Sequence, residues 1–284
     1  MGRVIVCGLD DSLHAAAVAG VAQALAQRLG VQLRVVHSVH PDTFLAGEER
    51  RDALRRGEEL LDLFVPGDGA PDRVVEPGEP AALLLSAIDE QTELVVVGSR
   101  GRGPTRAAVL GSVSHAIAAE VPCPVVVVPP QATPSIPPHP TLVCGLDGSI
   151  AGDAALKRAA SLARMLDGRL VAVHVRAAAL LPHATSLMPG RQPFSGPVDQ
   201  AYDVLAMLER SLTELAVDVP SDLRIETGYP AARLSAVATQ KHATMVVVGS
   251  RRRGAVHAAV FGSVSSRLAA TCPVPVMIVP VADA

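Results

Sequence analysis

Residues 95–114 read VVVGSRGRGPTRAAVLGSVS, and the rest of the chain is organised around them. Val95, Val96 and Val97 form a β-branched run closed by Gly98, the pattern of a short buried strand. Gly98, Gly101 and Gly103 then alternate with Arg100 and Arg102, and Arg106 follows, which predicts a glycine-and-arginine loop. Beyond Gly111-Ser112 the apolar residues Val113, Ile117, Ala118 and Val121 recur at helical spacing, with Ser112 as the expected N-cap. Strand, loop and helix N-terminus in that order suit a polyphosphate. The helix start offers unpaired N–H groups and partial positive charge, glycines admit an anion without a Cβ in the way, and arginine adds full charge. One such loop is a weak signal, which a solvated surface loop explains equally well.

A second copy changes the balance. Residues 246–265 read VVVGSRRRGAVHAAVFGSVS, and the spacing from Gly98 to Gly111 equals that from Gly249 to Gly262, thirteen residues. Packing alone would preserve a strand and a helix, but it has no need to preserve the loop between them. Working outward, VCGLDDS from Val6 returns as VCGLDGS from Val143, so Asp10 and Asp147 lie 137 residues apart, as do His37 and His174. EPGEPAALLL from Glu76 returns as ETGYPAARLS from Glu226 at an offset of 150, and Pro122 and Pro273 lie 151 apart. The first jump in offset places an insertion in the second copy, within residues 177–199, where proline and glycine predict a mobile surface loop. A repeat of this length means tandem domains, not a solenoid.

The first copy reads as strand 4–7, a turn over 8–12 with Asp11 or Ser12 as helix cap, and a helix carrying Val18, Val21, Ala22, Leu25 and Leu29 that Gly30 stops. Then follow strand 33–36, a charged helix 48–64, strand 73–76, helix 80–89, the strand at Val95, the helix after Gly111-Ser112 and a last strand 125–128. Five strands alternating with helices predict an open, doubly wound α/β domain with a parallel sheet, and the chain carries two of them. The expected boundaries are 1–130 and 141–284, joined by residues 131–140 of the run PPQATPSIPPHP, which starts at Pro129 and reads as an extended, semi-stiff linker.

Composition narrows the function. The chain has 284 residues, 49% hydrophobic and 19% charged, with net charge −3, so it has material for sizeable cores and no basic footprint for nucleic acid. Aromatics are 2% and Trp is absent, which removes base-stacking platforms. Lys157 and Lys241 are the two lysines; the other cations are arginines, the better planar fork for phosphate. No apolar run approaches the ~20 residues of a membrane span. No signal peptide is read at the N-terminus, and the four cysteines form no C-x-x-C pair, so the expectation is reduced core thiols in the cytoplasm.

With these residues set out, the chain resembles the universal stress protein family, twice over, in its ATP-binding form. Gly98, Gly101, Gly111 and Ser112 match that family's G-x2-G-x9-G-[ST] at every position, and Asp10 and Asp147 match its Asp after the first strand. The resemblance implies that ATP, with or without Mg2+, is bound. Asp10 and the backbone near Ser38 and Val97 would hold adenosine; Gly98, Arg100 and Gly101 would line the phosphates; Gly111, Ser112 and Val113 would cap them. The matching positions of the second copy are Asp147, Val175, Val248, Gly249, Arg251, Gly262, Ser263 and Val264. There Arg252 stands where Gly101 stands in the first copy. Its side chain either fills the phosphate approach or swings out to add a charged contact; retention of Asp147 and Gly262-Ser263 favours altered but retained binding. The resemblance further implies dimerisation through the last strand, between chains or between the two domains of one chain.

The function expected is regulatory: nucleotide binding that shifts conformation or engages a protein partner in a stress response, without turnover. The competing classes are a slow ATPase or adenylating enzyme of the same fold, a flavin module and a non-nucleotide scaffold. No Walker loop is present, since neither lysine follows a glycine, and Arg106 replaces the third glycine a dinucleotide loop needs. His37 and His174 have no accompanying metal-ligand cluster and read as structural.

Overall fold

The computed structural model describes residues 2–39, 47–65, 72–99, 110–176, 197–214, 217–251 and 262–281. The first half runs β1 (Val4–Leu9), α1 (Ala15–Leu29), β2 (Gln32–Val39), α2 (Glu48–Phe64), β3 (Asp72–Pro77), α3 (Pro80–Ser86), β4 (Thr92–Gly98), α4 (Ser112–Glu120) and β5 (Val125–Val128). The second repeats it: β6 (Thr141–Leu146), α5 (Ile150–Met165), β7 (Arg169–Arg176), α6 (Pro197–Glu214), β8 (Ser221–Thr227), α7 (Pro230–Gln240), β9 (Met245–Arg251), α8 (Ser263–Thr271) and β10 (Val276–Val281). Each half is thus an α/β unit of parallel strands, and the two form one ten-stranded sheet, ordered β3-β2-β1-β4-β5-β10-β9-β6-β7-β8.

The strands are near-continuous valine, leucine and isoleucine because helices cover both faces. Alternate residues of β5, Val126 and Val128, join one apolar layer with α1, α2 and α5. Val125 and Val127 join the other layer, with α3, α4, α7 and α8. In each half the first and fourth strands are neighbours, β1 with β4 and β6 with β9. Successive connections leave that pair in opposite directions, which opens a crevice at the carboxyl ends of the strands.

The halves meet where β5 and β10 pair antiparallel, Val126 opposite Met277. These two residues are 151 positions apart and are therefore counterparts in the repeat. A residue facing its own counterpart marks a local two-fold axis, here through the sheet, as in an isologous dimer folded into one chain. The last strands are therefore internal, and neither presents a free edge. The antiparallel join also sends the strand ends of the halves to opposite rims.

Polar contacts reinforce the junction. Arg158 Nη1 on α5 donates to Glu93 Oε1 on β4 at 2.5 Å, and Arg3 Nη1 holds Glu93 Oε2 at 3.0 Å. Arg28 Nη2 on α1 donates to the Leu166 carbonyl at 2.6 Å. The proline-rich segment after β5 is not a free spacer. Ala132 is buried, and a Cβ on Gly20 of α1 would fall 2.3 Å from Pro134 Cβ, so the segment lies directly on the helix.

Several local expectations need correction. Neither Asp11 nor Ser12 caps α1: Asp10 Oδ1 accepts the Ser12 N–H at 3.1 Å and Ser12 Oγ accepts the His14 N–H at 3.3 Å, which delays the helix to Ala15. Gly111, not Ser112, occupies the N-cap of α4, and Ser114 Oγ donates to the Gly111 carbonyl at 3.0 Å. Helix α3 stops at Ser86 rather than 89, where Asp89 instead turns the chain by accepting the Gln91 N–H at 2.9 Å. Residues 197–199, read as loop, open α6; residues 177–196 lie outside the described residues.

Candidate functional site

The crevice of the second half is best defined. Strand β6 ends at Leu146, and Asp147 follows at the rim. Gly148 takes a left-handed φ of 74°, which lets the chain double back so that Ser149 Oγ accepts the Gly152 N–H at 3.2 Å and caps α5. Asp147 Oδ1 accepts from Ser149 N at 3.1 Å and Ser149 Oγ at 2.5 Å. A Cβ on Gly152 would sit 2.9 Å from that oxygen, so glycine is what lets the carboxylate rest on the first turn of the helix, where negative charge is favoured.

Around Asp147 a cavity of about 120 Å³ opens between the ends of β6, β7 and β9 and the starts of α5, α7 and α8. Val173, Val175 and Val248 come from the strands, Pro230 and Leu234 from α7, and Val264 from α8. Small residues make the room: a Cβ on Gly145 would meet Leu234 Cδ1 at 2.9 Å. The enclosed part is small beside ordinary ligand clefts of roughly 300–1,000 Å³. Its walls are apolar, and Asp147 is the ionisable group among the described residues that line it.

Five residues singled out in the sequence thus share one cavity: Asp147, Val175, Val248, Gly249 and Val264. Gly262 and Ser263 start α8 nearby, both exposed. Arg251 ends β9, paired by its backbone with Val281, and Arg252 lies outside the described residues. Gly249 has a packing cause of its own, because a Cβ there would fall 2.1 Å from the Ala151 carbonyl oxygen. Pro230 and Leu234 were missed as cavity walls, although their recurrence at Pro80 and Leu84 was the available signal.

In the first half the counterparts take the same places. Asp10 follows β1; Ser38, Val97 and Gly98 lie at the ends of β2 and β4; Gly111, Ser112 and Val113 start α4. The Gly111 N–H donates to the Ser99 carbonyl at 2.9 Å, which returns the chain to the end of β4. Arg100, Gly101, Arg102, Gly103 and Arg106 lie outside the described residues. Ser38 Oγ donates to the Gly78 carbonyl at 2.5 Å, which ties β2 to the start of α3.

His37 and His174 act alike. Nδ1 of each donates to the carbonyl of the residue before the aspartate, Leu9 or Leu146, at 3.0 Å, since a carbonyl can only accept. Among the described residues no His, Cys, Asp and Glu cluster could hold a metal ion. Burial pushes the Cys7 thiol up to about 12 and that of Cys123 to about 11, so both stay protonated and unreactive at neutral pH. Among the described residues no helix is long and apolar enough to cross a membrane.

A model of the universal stress protein family matches residues 1–129 and again 139–280. Among curated relatives, a universal stress protein of Thermus aquaticus is 38% identical over 138 residues, which are 45% of this chain and 99% of that protein. A Mycobacterium tuberculosis universal stress protein is 29% identical over 293 residues, covering 96% of each chain. Among solved structures, a universal stress protein of Archaeoglobus fulgidus superposes with a TM-score of 0.70 at 22% identity over 98% of both chains, a likeness of fold.

Proposed function

The chain belongs to the universal stress protein family as a tandem-domain member, and we propose that each domain, expected at residues 1–130 and 141–284, binds ATP and acts by binding rather than turnover. The observation that carries this reading is the cavity at the β6–β9 crevice, which gathers Asp147, Val175, Val248, Gly249 and Val264. Its chemistry fits one end of a nucleotide. Apolar walls suit the faces of a purine, and a carboxylate fixed at the rim suits ribose hydroxyl donors. The exposed start of α8 at Gly262 and Ser263 offers N–H groups to phosphate oxygens. Asp10, Ser38, Val97, Gly98, Gly111, Ser112 and Val113 would do the same in the first domain, with Arg100 and Gly101 at the phosphates; Arg251 and Arg252 would stand there in the second.

The cavity holds a lone carboxylate and no nucleophile–base pair among the described residues, which favours a bound state that biases conformation or partner engagement over hydrolysis. The expected setting is the cytoplasm, with an unidentified protein as downstream partner and Mg2+ arriving with the polyphosphate. The test is calorimetric titration of the full chain with ATP, beside mass spectrometry of any nucleotide released on denaturation. Two saturable sites are expected, with Asp147→Ala weakening one and Asp10→Ala the other. Absence of saturable binding by ATP, and no nucleotide in the released fraction, would overturn the reading.

A further inference from the structure

We propose that His14 is a ligand-contacting residue of the first-half crevice, one that makes the two halves unequal binders of a phosphorylated nucleotide; this rests on the nucleotide reading above. The twelve residues lining the second-half cavity can be placed on the first half through the repeat offsets, and nine are identical there. The three that differ are Ala151 against His14, Gly152 against Ala15, and Val175 against Ser38. Ala15 is buried and apolar. The Ser38 hydroxyl is spent on the Gly78 carbonyl. His14 is left as the new polar group on the crevice wall.

Its position is assigned from its counterpart. The Ala151 backbone presses on Gly249, with the carbonyl carbon 2.4 Å and the oxygen 2.1 Å from where a Cβ would stand. The strand registers match between halves, Cys7 opposite Val96 and Cys144 opposite Val247, so the repeat assigns residue 14 to the wall of the crevice near Gly98, where β4 gives way to the loop. His14 is the N-cap of α1, with φ −97° and ψ −7° in the helical region, and it is half-buried. Its imidazole forms no hydrogen bond or ion pair with another described residue. An unengaged imidazole at that point reaches the anionic part of a nucleotide. As imidazolium it offers two donors and a positive charge; as neutral imidazole it offers one donor and no charge. Ala151 offers neither.

Among the described residues, the other charged or titratable groups at this rim are Asp10 and Asp11 on the preceding turn, His37 at the end of β2, Glu76 at the end of β3, Glu79 at the N-cap of α3, Glu48 and Glu49 in the first turn of α2 and His115 in the first turn of α4. Arg34 and Glu93 belong to the far ends of β2 and β4. In the second half Asp147 matches Asp10, His174 matches His37 and Glu226 matches Glu76, whereas Ala151 and Ser266 stand where His14 and His115 do, so the His14 variants, not the comparison of halves alone, isolate residue 14.

The experiment is ATP calorimetry on the full chain at about pH 6 and about pH 8, with Asp147→Ala used to read the first half alone and Asp10→Ala the second. The second half reports the titration of the nucleotide itself. Beyond that reference, first-half affinity should be about 5- to 10-fold higher at the lower pH, the size of one charge-assisted contact at a partly open site. His14→Ala should abolish that difference, and His14→Gln, neutral throughout, should abolish it while keeping the high-pH affinity. Ala151→His should create the difference in the second half. An unchanged pH profile in both His14 variants overturns the proposal and leaves nucleotide binding standing. Absence of ATP binding in both halves at either pH overturns the nucleotide reading and this proposal with it.

Discussion

The salt bridge at the junction yields an asymmetric expectation. Glu93 is shared by Arg3, whose side chain is 67% exposed, and Arg158, which is 17% exposed. Arg158 Nε and Nη2 are buried without partners, so its hold on the protein is the single contact to Glu93. Glu93→Gln therefore strands a largely buried guanidinium. Breaking one side of a buried pair costs about 3–5 kcal/mol, and with roughly a sixth of the side chain open to water we expect about 2–3 kcal/mol. Arg158→Met instead removes the buried charge and its unpartnered atoms together, fills similar volume, and leaves Glu93 paired with Arg3; about 1 kcal/mol or less is expected. The double variant should lie near Arg158→Met, a coupling of about 2 kcal/mol. Urea unfolding measures this, with far-UV circular dichroism reporting both halves and emission from Tyr202 and Tyr229, both in the second half, reporting that half alone. Because the pair crosses the junction, Glu93→Gln should also separate the two transitions. Equal costs, or a larger cost for Arg158→Met, would refute the reasoning.

Gly249→Ala should destabilise by about 2–3 kcal/mol, because its Cβ meets a helix backbone that cannot rotate away, whereas Gly262→Ala, whose Cβ would make ordinary contact with Ser265 Oγ at 3.4 Å, should cost about 0.5 kcal/mol at an N-cap; thermal melts of the two distinguish them. Lys241, then Arg224, holds the Asp222 carboxyl below its ordinary range. The unfolded chain then binds more protons, so this stabilisation is present above about pH 4 and is lost as pH falls through the folded-state value. Asp222→Asn should flatten the acid limb of a stability–pH curve while changing neutral stability by under about 1 kcal/mol, since the carboxylate is 38% exposed and solvent-screened.

Much of this fold was legible because hydrophobic period and stop signals agreed. The charged helix was read as 48–64, which is α2, and Gly30, at φ 65°, ends α1 as expected. The doubling was legible from recurring motifs alone. Helix starts were not, because the Asp10 carboxylate takes the Ser12 N–H and the cap moves to His14, a competition between neighbours that spacing cannot decide. The valines of β5 read as a last strand that pairs between chains or between the two domains; which of the two is set by β10, 151 residues away, and the structure pairs them within the chain. At the site, the recurring glycines and aspartates pointed to the right rim of the sheet. The packing cause of Gly249 was invisible, since it depends on where the Ala151 carbonyl comes to rest. Pro230 and Leu234 passed as repeat markers because nothing in a one-dimensional pattern says which face of a helix meets a cavity.

The antiparallel seam between β5 and β10 has a geometric consequence for anything that associates with this protein. Duplication did not place two sockets side by side for one visitor to fill. It turned them to opposite rims, so the two mouths open at opposite ends of the strands. A protein that reads one mouth would therefore approach from that mouth's own rim.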